Sequence, residues 1–152
     1  MKPALPTAAH KIRIIGGKHR GRRIMIPDRD GLRPSPDRVR ETLFNWLQLE
    51  IAGAHVLDAF AGSGALGLEA LSRGAASVLF ADNDADGVAR LRALLAEWHE
   101  AHARVQSGDV FLLSPSAARY DLIFLDPPFA AGLHAQAVAH FVNAVSYTHL
   151  RA

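Results

Sequence analysis

Between His55 and Gly67 the chain reads HVLDAFAGSGALG, an apolar pair, an acid, then glycines at positions 62, 64 and 67 running into Ala- and Leu-rich sequence. No other feature constrains the fold as much, because a strand ending in a carboxylate, a turn built from bare backbone and a helix start form one unit of an open α/β sheet. Such a turn lets a small molecule lie directly against the main chain. Downstream the pattern repeats: strands are predicted at residues 54–60, 77–82, 104–106 and 121–126, with helices near 66–73, 86–102 and 133–145. Strands alternating with helices, and strands that are mostly apolar, imply a parallel sheet covered by helices on both faces, a Rossmann-like α/β fold.

With 152 residues, 49% of them apolar and 21% charged, the chain belongs to the globular class and fits one domain. It has no cysteine, so disulfide frameworks and thiolate chemistry are excluded. The N-terminus lacks the apolar run of a signal peptide and no window is long enough to span a bilayer, so a cytoplasmic location is expected. The net charge is only +2, yet residues 1–50 carry eleven Lys or Arg against five acids and residues 51–152 six against ten. A basic arm therefore precedes an acidic body. Its densest part is KIRIIGGKHRGRR, residues 11–23, with Arg33, Arg38 and Arg40 beyond. Cations clustered this way neutralise successive phosphates and suit nucleic acid, without separating RNA from DNA.

Within the arm, residues 1–10 read as a flexible tail, 12–15 and 23–26 as two short strands of a hairpin, and 27–36 as loop. From Asp37 a helix carries Val39, Leu43, Trp46 and Leu47 at helical spacing; that face is expected to pack, leaving Arg38 and Arg40 to point elsewhere. Trp46 and Trp98 are read as packing residues, and His99 with His102 as part of a solvated helix face rather than a metal site. No metal is expected.

Asp82 ends the second strand of the body about 20 positions after the glycine turn, where a carboxylate can accept hydrogen bonds from both ribose hydroxyls. These features admit a dinucleotide or S-adenosylmethionine. Asp58 favours the latter, since a carboxylate beside the turn repels a pyrophosphate and suits ammonium and sulfonium charges. Asp109 closes the third strand and can bind an adenine amine, with Val110 bordering the ring; Asp84 and Asp86 fit the capping of a helix start. The fourth strand delivers Asp126, Pro127, Pro128 and Phe129. A carboxylate and a rigidly held prolyl carbonyl can both accept hydrogen bonds from an exocyclic base amine, which frees its lone pair, while the ring stacks on the base. This is the chemistry of an amino-group methyltransferase.

The segments RIIGGKHRGRRI, RPSPDRVRETLFNWL, LDAFAGSGALGLEALSRGA and FLDPPF together resemble the bacterial 16S ribosomal RNA guanine-N2 methyltransferases of the RsmD type, within the class I S-adenosylmethionine-dependent enzymes. The likeness runs from about Arg13 to about His140. It implies that Asp58, Phe60, Gly62, Gly64, Asp82, Asn83, Asp109 and Val110 line S-adenosylmethionine and that Asp126, Pro127, Pro128 and Phe129 hold a guanine amine. Arg13, Lys18, Arg20, Arg22, Arg23, Arg33, Arg38 and Arg40 would contact 16S ribosomal RNA or the small ribosomal subunit, and the enzyme would act as a monomer. Two departures are mild, Ser35 where the family has Thr and Asp82 where Glu is common. At the C-terminus the family continues into further strands, whereas residues 146–152 read as an atypical tail. The expectation is a sheet incomplete at the C-terminus, with residues 11–50 as RNA-binding arm and 51–145 as a partial catalytic domain. A DNA adenine or cytosine amino-methyltransferase and a non-catalytic nucleic-acid-binding fragment are the alternatives.

Overall fold

A computed structural model describes residues 10–26, 37–109, 120–125 and 148–150. Strands β1 (His10–Arg13) and β2 (Arg23–Ile26) form an antiparallel hairpin, with Lys11 opposite Met25, Ile12 opposite Ile24 and Arg13 opposite Arg23. Side chains alternate across a strand, so Ile12 and Ile24 are buried while Lys11, Arg13, Arg23 and Met25 form an exposed outer face. The ladder begins two residues earlier than the sequence predicts. Ile14 still stays tied to the second strand, its N–H donating to Arg22 and its carbonyl accepting from Gly21.

The body is a five-stranded parallel sheet of β3 (His55–Asp58), β4 (Ser77–Asp82), β5 (Ala103–Ser107), β6 (Leu122–Leu125) and β7 (Thr148–Leu150), ordered β5-β4-β3-β6-β7. Helices α1 (Asp37–Trp46), α2 (Gln48–Ile51), α3 (Ala65–Ser72) and α4 (Ala85–Glu97) complete the described elements. The four predicted strands are all present. The fifth, β7, comes from the stretch read as an atypical tail, and it pairs Ile123 with Thr148 and Leu125 with Leu150 along the outer edge of β6. Extended backbone there satisfies peptide groups that an open edge would leave unpaired. The helix predicted at 133–145, the tail 1–9 and the loop 27–36 lie outside the described residues.

Both faces of the apolar inner strands β3, β4 and β6 are largely buried, whereas β5, with Arg104 and Gln106, is a more exposed edge. One face sets Val56, Val78, Phe80, Leu122 and Phe124 against Phe44 of α1, Leu68 and Leu71 of α3, and Leu91 and Leu95 of α4. The other carries Leu57, Ala81, Ile123 and Leu125. Each fully buried Leu or Phe contributes roughly 1.5–3 kcal/mol relative to exposure.

Two helices depart from their predicted form. α4 stops at Glu97 rather than near 102, because His99 adopts φ 55° and reverses the chain. The His99 N–H donates to Ala96 and the Glu100 N–H to Leu95, the paired bonds that close a helix when its C′ residue is left-handed. In α1 the packing face is rotated from the predicted one: Leu43 and, just past the helix end, Leu47 pack as expected and Arg40 and Phe44 are buried with them, whereas Val39 is exposed and Trp46 is 77% exposed. Trp46 is therefore no packing residue. Arg40 takes the inward position because its charge finds carboxylates there, a tertiary condition that helical spacing does not register. Trp98 does pack as expected, buried against the His19 ring at 4.6 Å.

Candidate functional site

Strand order reverses at β3, since β4 and β5 extend to one side of it and β6 and β7 to the other. In open α/β sheets a ligand crevice lies outside the carboxyl ends of the strands at such a switch point. Asp58 ends β3 and Asp82 ends β4; β6 ends at Leu125, one residue beyond Phe124, the partner of Asp58. Asp109 follows β5 at the same rim, after the turn at Gly108, whose N–H donates to the Asp82 carbonyl. Asp58, Asp82 and Asp109 thus share one edge, as predicted. Asp126, Pro127, Pro128 and Phe129, together with Val110, lie outside the described residues.

The glycine loop between β3 and α3 is fastened from several sides. Gly62 and Gly64 take φ of 55° and 85°, left-handed values that other residues adopt at a cost. The Gly62 N–H donates to Asp82 Oδ2 at 2.5 Å, and Asp82 Oδ1 accepts from the Asp84 N–H at 2.9 Å. Asp82 is half-buried, with Asn83 exposed beside it, and Phe60 is half-buried at the start of the loop. Arg90 of α4 reaches the loop, donating to the carbonyls of Gly62 at 3.2 Å and Ser63 at 3.4 Å. Burial pulls the Arg90 pKa below the ordinary guanidinium value, against the opposing pull of Asp84 and then Asp82. Nothing in the sequence pattern singled out this residue.

Asp58 is buried, and its Oδ2 accepts the Gly67 N–H at 3.0 Å. The Ser63 hydroxyl accepts the Ala65 N–H at 3.2 Å. The amides at a helix N-terminus are where a pyrophosphate is normally bound. In α3 two of them are already occupied by the protein's own oxygens, one of them an anion. Among the described residues the side chains that end β3 and β4 and follow β5 are the carboxylates of Asp58, Asp82 and Asp109, acceptors that match a cationic, hydroxyl-bearing ligand and oppose a phosphate-rich one. The residues present therefore fit S-adenosylmethionine and not a dinucleotide.

The same helix carries the basic arm on its far end. Glu69, fully buried, accepts the Ile15 N–H through Oε1 and the Gly16 N–H through Oε2, both at 2.9 Å. Arg73 Nε donates to Oε2 at 2.8 Å, and Arg40 lies 3.5 Å from Oε1. Ser72 accepts the His19 N–H through its hydroxyl, at 2.8 Å, and donates to the Gly16 carbonyl, while the Lys18 N–H donates to the Ser72 carbonyl. His19 then packs between Trp98 and Glu100, its Nε2 3.3 Å from Glu100 Oε2. Eight residues of helix, about 12 Å, thus join the glycine loop to the arm.

The predicted RNA-contacting residues divide accordingly. Arg13, Arg20, Arg23 and Arg38 are exposed. Lys18 pairs with Glu100 at 2.8 Å and Arg22 lies 5.2 Å over the Trp98 ring, so both also hold the arm in place. Arg33 lies outside the described residues. Arg40 is a correction to the sequence reading: it is buried, bonded to Asp37, facing Glu69 and donating to the Arg13 carbonyl, and it does not reach solvent. Burial lowers its pKa while Asp37 and Glu69 oppose the shift.

Comparison with known proteins places these features in a family. The family described as Conserved hypothetical protein 95 matches residues 12–147. Ribosomal RNA small subunit methyltransferase D of Escherichia coli is 48% identical over 134 residues, covering 88% of this chain and 68% of the relative. The protein of the same name from Haemophilus influenzae is 43% identical over 139 residues, covering 88% of this chain and 72% of the relative. A solved Escherichia coli structure provisionally named a methyltransferase superposes with a TM-score of 0.79 at 43% identity, covering 90% of this chain and 75% of that one.

Proposed function

The chain belongs to the Conserved hypothetical protein 95 family, and on that premise we propose that it methylates the exocyclic N2 amine of a guanine in small-subunit ribosomal RNA, using S-adenosylmethionine. The observation that carries the cofactor reading is the Asp58 carboxylate on the Gly67 N–H, which fills the anion position at the start of α3. The names of the relatives favour ribosomal RNA over DNA as the substrate.

When bound, S-adenosylmethionine supplies a methyl group on a positively charged sulfur. Asp82 accepts from the ribose hydroxyls and Asp109 from the adenine amine, with Asp58, Phe60, Gly62, Gly64, Asn83 and Val110 lining the rest. The Asp126 carboxylate and the Pro127 carbonyl accept hydrogen bonds from the guanine amine, so that its lone pair turns out of the ring toward the incoming carbon. Pro128 stiffens the segment by fixing φ. Phe129 stacks on the base, an interaction worth roughly 1–3 kcal/mol, which offsets part of the cost of extruding it. The exposed outer face of the hairpin, with Arg13 and Arg23, joins Arg20, Arg33 and Arg38 in contacting the RNA backbone, and Lys18 and Arg22 flank it.

In this reading residues 11–50 dock RNA and 51–145 carry the reaction, without a metal and as a monomer, in the cytoplasm where its substrate is assembled. Among the described residues no helix is long and apolar enough to cross a membrane. The test is transfer of a radiolabelled methyl group from S-adenosylmethionine to small-subunit particles lacking the modification. Transfer to a guanine amine is expected, and Asp126→Ala abolishes it while cofactor binding persists. Transfer to duplex DNA alone, or RNA binding without transfer, overturns the proposal.

A further inference from the structure

Gly62 is held on both sides of its peptide planes: its N–H is bound by Asp82 of β4 and its carbonyl by Arg90 of α4. Arg90 takes the next carbonyl as well, that of Ser63, so one planar guanidinium fixes two successive peptide groups. A stretch with glycines at 62 and 64 has many accessible backbone states, and ordering it on ligand binding would cost conformational entropy. If only a fraction of the molecules hold the loop in its binding shape, apparent affinity falls by that fraction. The Asp82 carboxylate that holds the Gly62 N–H would also accept from a ribose, whereas Arg90 fastens the loop through its carbonyls. Arg90 makes no demand on the ligand.

We propose that Arg90 is a positioning residue for the cofactor, holding the glycine loop in its ligand-accepting shape through the Gly62 and Ser63 carbonyls. The inference rests on the cofactor reading given above. Asp84 and Asp82 lie close enough to balance its charge, so the guanidinium supports the loop without presenting an unopposed cation to a sulfonium ligand.

The test uses the full chain and S-adenosylhomocysteine as the calorimetric probe. Arg90→Met keeps most of the aliphatic stem and removes both donors; the dissociation constant is expected to rise about tenfold, with the melting temperature lowered by no more than about 4 °C. Arg90→Lys, able to reach one carbonyl at a time, falls between the two. In methyl transfer, KM for the cofactor rises by the same factor while kcat and KM for RNA stay unchanged, a split that general loosening of the fold would not produce. Undiminished affinity in a folded Arg90→Met protein overturns the inference. If that variant does not fold, Arg90→Gln carries the same comparison, and wild-type affinity there overturns it equally. Failure of the unaltered protein to bind the probe would overturn the cofactor reading itself, and this inference with it.

Discussion

Replacing Glu69 by Gln changes one atom, and the surroundings of that atom set the consequence. Each carboxylate oxygen receives one backbone N–H and faces one guanidinium: Oε1 serves Ile15 and Arg40, Oε2 serves Gly16 and Arg73. An amide has one oxygen and one NH2, so either orientation of the new side chain turns a donor toward two donors, and no flip repairs both sides. One part-buried backbone N–H is then left unsatisfied, worth about 1–3 kcal/mol. The Arg40 side chain keeps Asp37 but is deprived of the fully buried counter-charge of Glu69. Breaking such a pair typically costs about 3–5 kcal/mol. Because the two effects overlap at one site, we expect a total of about 4 kcal/mol, a large part of the roughly 5–15 kcal/mol that typically stabilises a domain. Urea unfolding should show a lowered midpoint at constant slope, and the melting temperature should fall by roughly 10 °C. At low temperature the folded fraction should bind RNA more weakly than cofactor, since Glu69 fastens the arm to α3 and does not touch the glycine loop. A stability change below about 1 kcal/mol would refute the view that Glu69 is the anchor of the arm.

Gly67→Ala should destabilise, although Ala normally improves a helix by about 1 kcal/mol. A Cβ there would stand 2.3 Å from Cε1 of Phe80, a fully buried ring with no room to withdraw. A net loss of about 1–3 kcal/mol in urea unfolding is expected, and a gain would show that the ring can yield. Arg13→Ala combined with Arg23→Ala removes the cross-strand cations of the outer hairpin face and should lower the slope of log affinity against log salt by up to about 2 in RNA binding. An unchanged slope would assign the docking surface elsewhere.

Much of the site was legible in the chain because its parts are local. The alternation of strands and helices, the positive-φ glycines and the acids at the ends of β3 and β4 are set by neighbours a few positions away, where periodicity and backbone sterics act. The segments RIIGGKHRGRRI, RPSPDRVRETLFNWL, LDAFAGSGALGLEALSRGA and FLDPPF together carry the family resemblance. Arg40 departs from its helical-spacing position because its deciding partner lies far away in the chain, Glu69 standing 29 positions from it, whereas α4 ends early for a local reason, the left-handed backbone of His99. Helical spacing counts an arginine as outward and a tryptophan as inward, and a buried carboxylate reverses the first assignment.

The sequence by itself determined an α/β sheet with a glycine turn, a rim of carboxylates suited to a sulfonium cofactor, and a basic arm ahead of it. Only the tertiary structure decided that Arg90 grips the loop and that Glu69 and Ser72 fasten the arm to the helix that follows it. These depend on hydrogen-bond donors and acceptors meeting across tens of residues, and the free energy of burying an unpaired charge or amide makes those meetings specific.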